Sequence, residues 1–228
     1  MSNNIDEYIN KIINGNCIEE MKKMPDESVD LIFADPPYFM QTEGVLHRTD
    51  GTKFDGVEDS WDKFQDYAEY DKFTTDWLKE CKRVMKKNAS IWVIGSFQNI
   101  YRLGYIMQNM GFWILNDVIW SKPNAVPNFG GTRFQNSHET LLWCTKSKNA
   151  KYTFNYKTMK HLNNDSHHLH CQFLHQQIQS HLNSLSLLLV IDLAENVIAE
   201  SVNTTSIFTS HLRITINKLN HTVLPAWL

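Results

Sequence analysis

Asp35-Pro36-Pro37-Tyr38 brings together a carboxylate, a rigid turn with free carbonyls and an aromatic face within four residues. That set suits a planar amine. The carboxylate and one carbonyl accept its two N–H bonds, while the ring stacks on its face. An ordinary turn is the competing reading, since Asp and Pro are standard turn residues. Placement favours chemistry. Val29 to Ala34 is a nearly continuous apolar run that reads as a buried strand, and the four residues close it. Two prolines without N–H end its ladder. Ligands of open α/β sheets sit beyond such strand ends.

Other residues carry weaker signals. His138-Glu139 offers an acid–base pair, but it precedes a strand, where local hydrogen bonds would satisfy it. A structural role is expected. His167, His168, His170, Cys171 and His175 crowd together, but their spacing is poor for a four-ligand zinc site. Cys17, Cys81, Cys144 and Cys171 form no CxxC pair, so reduced thiols in a cytoplasm are expected.

The elements around the motif follow from periodicity. Ile18, Met21 and Met24 share a short helix face that Pro25 stops. Residues 39–71 lack periodicity and read as a long loop. Phe73, Trp77, Cys81, Val84 and Met85 fit one helical face. Ile91 to Ile94 reads as a strand ending at Gly95. Ile100, Leu103 and Met107 fit a further helix capped by Gly111. Trp113 to Trp120 and Thr140 to Thr145 read as two more strands. The order predicts an α/β sheet with an antiparallel end.

Composition bounds the class. The 228 residues are 42% hydrophobic and 21% charged, which argues against a disordered chain. The longest apolar run, Leu187 to Ile191, is far short of the roughly 18 residues of a membrane span. The acidic, polar start at Met1 to Glu7 does not read as a secretory signal. Residues 1–80 carry 19 acids and 8 bases, and residues 81–165 carry 3 acids and 12 bases. The basic block suggests an anionic partner such as nucleic acid; solvated loop ends are the plainer alternative.

A break falls near Asp165. Residues 1–165 read as one catalytic region and 166–228 as an atypical tail. The tail holds five of the 47 charged residues and seven of the ten histidines. No glycine follows Gly131, although α/β segments use glycine at helix ends and tight turns. A foreign small domain and out-of-frame translation both account for this. Little amphipathic periodicity favours the second, and reading the gene in its other frames would decide.

With these motifs in hand, the chain from Ile12 to about Lys160 resembles the β-class DNA adenine-N6 methyltransferases. Asp35-Pro36-Pro37-Tyr38 looks like their catalytic motif. Ile13 to Cys17, Trp92 to Ser96, Pro127 to Phe134 and Asn136 to Trp143 are also similar. The closest likeness is to the cell-cycle-regulated type that methylates adenine in GANTC. An opening aspartate favours adenine-N6, where serine would point to cytosine-N4 and asparagine to glutamine methylation. The resemblance implies an S-adenosylmethionine-dependent methyltransferase (Rossmann-like) sheet, double-stranded DNA as substrate and a family that includes homodimers.

It also implies roles. Asp35 and the Pro36 carbonyl would accept the two N–H bonds of the adenine amine, localising its lone pair. Pro37 keeps the turn rigid, and Tyr38 would stack on a base flipped from the duplex. The nitrogen would attack the methyl of S-adenosylmethionine directly, without a cysteine nucleophile. Asn16, Cys17 and Asp35 would face the cofactor, although Asn16 also fits a plain helix cap. Lys122, Asn124 and Arg133, in the polar loop 124–137 or at its start, are candidates for phosphate or base contact.

The chain departs from the family pattern beyond that region, because no glycine remains after Gly131. The glycine-rich Asp-Pro-Phe loop that cradles the cofactor has no counterpart. Leu187 to Asp192 mimics only its strand and aspartate. An incomplete sheet with an exposed edge beside the catalytic strand is therefore expected. Two further readings stay open: an inactive truncated remnant that binds DNA weakly, and a methyltransferase acting on RNA or protein.

Overall fold

The computed structural model describes residues 4–39, 64–122, 125, 131–157, 187–192 and 213–218. Among these, three helices and seven strands follow one another as β1 (Lys11–Asn14), α1 (Cys17–Lys23), β2 (Val29–Asp35), α2 (Tyr67–Val84), β3 (Met85–Gly95), α3 (Ile100–Asn109), β4 (Trp113–Ser121), β5 (His138–Thr145), β6 (Leu187–Asp192) and β7 (Arg213–Lys218). The strands form one mixed sheet in the order β1-β7-β6-β2-β3-β5-β4. β2 runs parallel to β3 and β6, and β5 runs antiparallel to β3 and β4. The α/β sheet with an antiparallel end is as expected.

Alternation builds the core. Ile32 and Ala34 of β2, Ile91 and Val93 of β3, and Leu142 and Cys144 of β5 face one side. Buried residues of all three helices, including Met21, Trp77, Leu78 and Leu103, pack there. Leu31, Phe33, Trp92, Ile94, Leu141 and Trp143 face the other side. This split is the period of two that a pleated strand imposes. Trp92 and Trp143 stack with ring centroids 5.3 Å apart, and Tyr152 meets Trp143 edge-on.

Several expectations change. The loop expected to run to residue 71 gives way to α2 at Tyr67, because Asp66 caps it by accepting from the Glu69 amide at 2.8 Å. Met85 opens β3 rather than closing α2, so β3 begins six residues before Ile91. The exposed edge expected beside the catalytic strand is filled. β6 pairs with β2 from Leu31↔Leu188 to Asp35↔Asp192, and β7 links β6 to β1. An apolar run of five residues closed by an aspartate suffices for a ladder strand, whose hydrogen bonds come from the backbone. The zinc candidates between His167 and His175 lie outside the described residues.

Candidate functional site

β2 ends at Asp35, and the next three residues leave the sheet at its carboxyl-end rim. Pro36 and Pro37 are buried, while Asp35 and Tyr38 are half-buried. The turn is held from two sides. On one side, Tyr70 of α2 donates its hydroxyl to the Pro37 carbonyl at 3.0 Å. Asn99, which precedes α3, donates to the same carbonyl at 3.4 Å and to the Tyr70 hydroxyl at 3.1 Å. Both side chains are almost fully buried. Gly95 allows this approach: a Cβ there would lie 2.8 Å from Asn99 Oδ1.

On the other side, the Tyr38 hydroxyl donates to Glu139 Oε2 at 3.2 Å. Glu139 Oε1 forms an ion pair with Lys122. Topology explains the meeting. β5 runs antiparallel to β3, with Thr140 opposite Gly95, so β5 starts where the parallel strands end. β4 ends opposite that start, with Trp120 paired to Glu139. Lys122 follows β4 and closes the hairpin through its amide, which donates to the Ser137 carbonyl at 2.7 Å. One rim thus gathers the turn, Glu139, Lys122 and Ser137.

Electrostatics keep Tyr38 a neutral phenol. Burial of its hydroxyl pushes the pKa far up, and the carboxylates of Asp35 and Glu139 push the same way. The next residue, Phe39, adopts φ +46, a left-handed conformation uncommon for a bulky side chain. Its ring is tied down by stacking on Tyr70 at 5.6 Å and by edge contacts with Phe64 and Tyr67. Local strain is thus over-determined by packing, as at many ligand sites.

The other expected site residues divide. Asn16 caps α1, its Oδ1 accepting from the amides of Ile18 at 3.0 Å and Glu19 at 3.2 Å. Cys17 is fully buried, and burial pushes its thiol up to about 12. Asn16 closes the turn between β1 and α1, and Cys17 is the first residue of α1. Lys122 is at the rim but paired with Glu139. Arg133 is exposed beside Phe134, which is 98% exposed. Asn124 lies outside the described residues.

One expectation about charge is corrected, and the basic block resolves into separate ion pairs. Glu139 is bonded not by local groups but by residues 101 and 17 positions away. Sequence separation hid this; the apolar run after Glu139 was the available sign that it begins a buried strand. The basic block does not form one face. Arg83 donates to the Met21 and Met24 carbonyls and pairs with Asp26 and Glu80. Lys146 pairs with Glu27 and donates to the Met85 carbonyl, and Lys86 pairs with Asp30. These bases lie at the strands' amino ends, opposite Asp35, where they neutralise carboxylates and cap helix carbonyls. Tyr70 and Asn99 were missed because nothing in their local sequence marks a partner more than 30 residues away.

The DNA methylase family (N6_N4_Mtase) matches residues 29–179. Type II methyltransferase M.HinfI of Haemophilus influenzae is 68% identical over 165 residues, which are 72% of this chain and 46% of that one. Type II methyltransferase M2.DpnII of Streptococcus pneumoniae is 37% identical over 161 residues, 68% of this chain and 60% of that one. The chain thus spans roughly half the length of these relatives. Among solved structures, the cytosine-N4-specific PvuII DNA methyltransferase is 19% identical with a TM-score of 0.44, covering 60% of this chain and 49% of that one. With the family match spanning β2, the turn after it, Lys122 and Glu139, this chain belongs to the DNA methylase family.

Proposed function

We propose that this chain transfers a methyl group from S-adenosylmethionine to adenine N6 in double-stranded DNA, at GANTC. The observation that carries the reading is a rigid Asp35-Pro36-Pro37-Tyr38 turn, gripped by Tyr70 and Asn99 at the carboxyl end of a parallel strand. Family membership and the 68% identical Type II methyltransferase support it. The resemblance to the cell-cycle-regulated type supplies GANTC.

Asp35 and the Pro36 carbonyl accept the two N–H bonds of the adenine amine. A carboxylate there also stabilises the positive charge that grows on nitrogen. Pro37 holds the turn, and the half-exposed ring of Tyr38 takes the flipped base by stacking. Lys122, Asn124 and Arg133 contact the duplex, with Arg133 the exposed cation on the rim.

S-adenosylmethionine supplies the methyl group. The backbone placement supports this: Asp35 ends β2 where the adjacent parallel strand β6 ends in register beside it. Asp35 and the backbone around Asn16 and Cys17 would hold it, since the Asn16 oxygen is used as a helix cap. A cytoplasmic homodimer fits this reading. Among the described residues, no helix is long and apolar enough to cross a membrane.

The test is Asp35→Ala, assayed for labelled methyl transfer to GANTC duplexes, scrambled duplexes, RNA and peptide. Transfer to the GANTC duplex by the parent chain should fall at least about a thousandfold in the variant. An active, folded variant would sink the assignment. Preference for RNA or peptide would replace the substrate.

A further inference from the structure

Glu139 has no partner along its own strand for its side chain, yet it is only 8% exposed. A carboxylate at such depth is costly unless its charge is paired and its oxygens are bonded. Both conditions are met by residues of different elements. Oε1 takes Lys122, from the end of β4, and Oε2 takes the Tyr38 hydroxyl, from the turn after β2. Lys122 is 36% exposed, so the chain of contacts runs from solvent at the contact loop to the motif.

We propose that Glu139 is a positioning residue of this site: charge-balanced by Lys122, its buried carboxylate holds the Tyr38 hydroxyl and fixes the ring of the turn. The proposal rests on the methyltransferase reading only for what that ring meets. Geometry supplies the reason. The Tyr70–Asn99 grip acts on the backbone of the turn, at the Pro37 carbonyl. At the ring's far end the hydroxyl meets the carboxylates of Asp35 and Glu139, and Glu139 anchors it from outside the turn. Lys122, expected to touch DNA, then serves first as the countercharge.

The test uses the full chain with its tyrosine rings labelled with 13C. The Tyr38 resonance is the one lost in Tyr38→Phe. Glu139→Gln keeps the side-chain size and removes the charge; Lys122→Ala removes the countercharge at a partly exposed position. Each should shift or broaden the Tyr38 resonance while circular dichroism stays unchanged. An unmoved resonance in the folded variants overturns the proposal. If Glu139→Gln does not fold, Lys122→Ala carries the same readout.

Kinetics give the second arm. Glu139→Gln should lower kcat roughly tenfold to a hundredfold, with KM for duplex and cofactor little changed. Acting through Tyr38, it should add nothing to the loss already caused by Tyr38→Phe. Additive losses in that double-mutant cycle also overturn the proposal. Failure of the broader reading is distinguishable. In that case the parent chain shows no Asp35-dependent methyl transfer, while the Tyr38 resonance still answers to Glu139→Gln.

Discussion

Pro37 has no N–H to give, so its carbonyl is the handle by which the fold grips the centre of the turn. Tyr70 supplies the shorter of the two bonds to it, from a hydroxyl that is itself buried. Tyr70→Phe deletes that donor and leaves the carbonyl with Asn99 alone at 3.4 Å. It also deletes the acceptor that Asn99 uses. The expected cost is about 1–2 kcal/mol, because a buried carbonyl and a buried amide each lose a partner. The ring remains, so the stack with Phe39 is kept and no cavity opens. A urea unfolding midpoint equal to that of the parent would mean the grip contributes nothing. Asp35 and Tyr38 were legible in the sequence because their chemistry is local to four residues. Glu139, Tyr70 and Asn99 were not, because each acts across more than 30 residues of chain.

At the scale of elements, the grip depends on where α2 starts. Asp66 accepts from the Glu69 amide at 2.8 Å, and Glu69 Oε2 accepts from the Gln65 amide at 2.7 Å. Tyr70 stands in the turn that this cap organises. Asp66→Ala should cost about 1 kcal/mol. It should also speed hydrogen exchange at the Glu69 and Tyr70 amides before the rest of α2. Uniform exchange along the helix would show that the cap does not govern its start. The Asp66-Tyr67-Ala68-Glu69 spacing matches a capping box and was readable in the sequence, but the acidic run before it disguised the boundary. Helices α1 and α3 and strands β2, β4 and β5 were legible from apolar period alone. β7 was not: Arg213 to Lys218 alternates polar and apolar residues as a half-buried strand does, but no turn signal bounds the run. The missing glycine argued against a cofactor loop, and the step from there to a missing strand did not follow. Backbone pairing needs no glycine, whereas close approach to a ligand does.

For the whole molecule, the sheet order sets the question of the cofactor. β6 lies directly beside β2, so the catalytic strand has a parallel neighbour on each side. Ligands of open α/β sheets bind beyond the carboxyl ends of the strands, and β2 and β6 end in register at Asp35 and Asp192. A glycine loop after β6 would let backbone amides close on the ligand, and no glycine occurs after Gly131. Asp35 therefore ends β2 beside the end of β6, in a chain with no glycine after Gly131 to form a cradle there. Calorimetric titration of the 228-residue chain with S-adenosylmethionine should show saturable binding, one site per chain, weakened by Asp35→Ala and unaffected by Lys146→Ala at the opposite rim. Removing a charged hydrogen-bond partner should weaken binding by about 1.5–3 kcal/mol, roughly tenfold or more in Kd. If the folded chain takes up no cofactor, the turn at residues 35–38 keeps its geometry without a methyl donor. Weak, salt-sensitive duplex binding would then be the activity left to measure. Binding that Asp35→Ala leaves intact would move the cofactor away from β2 and β6, and the strand ends would lose their assignment.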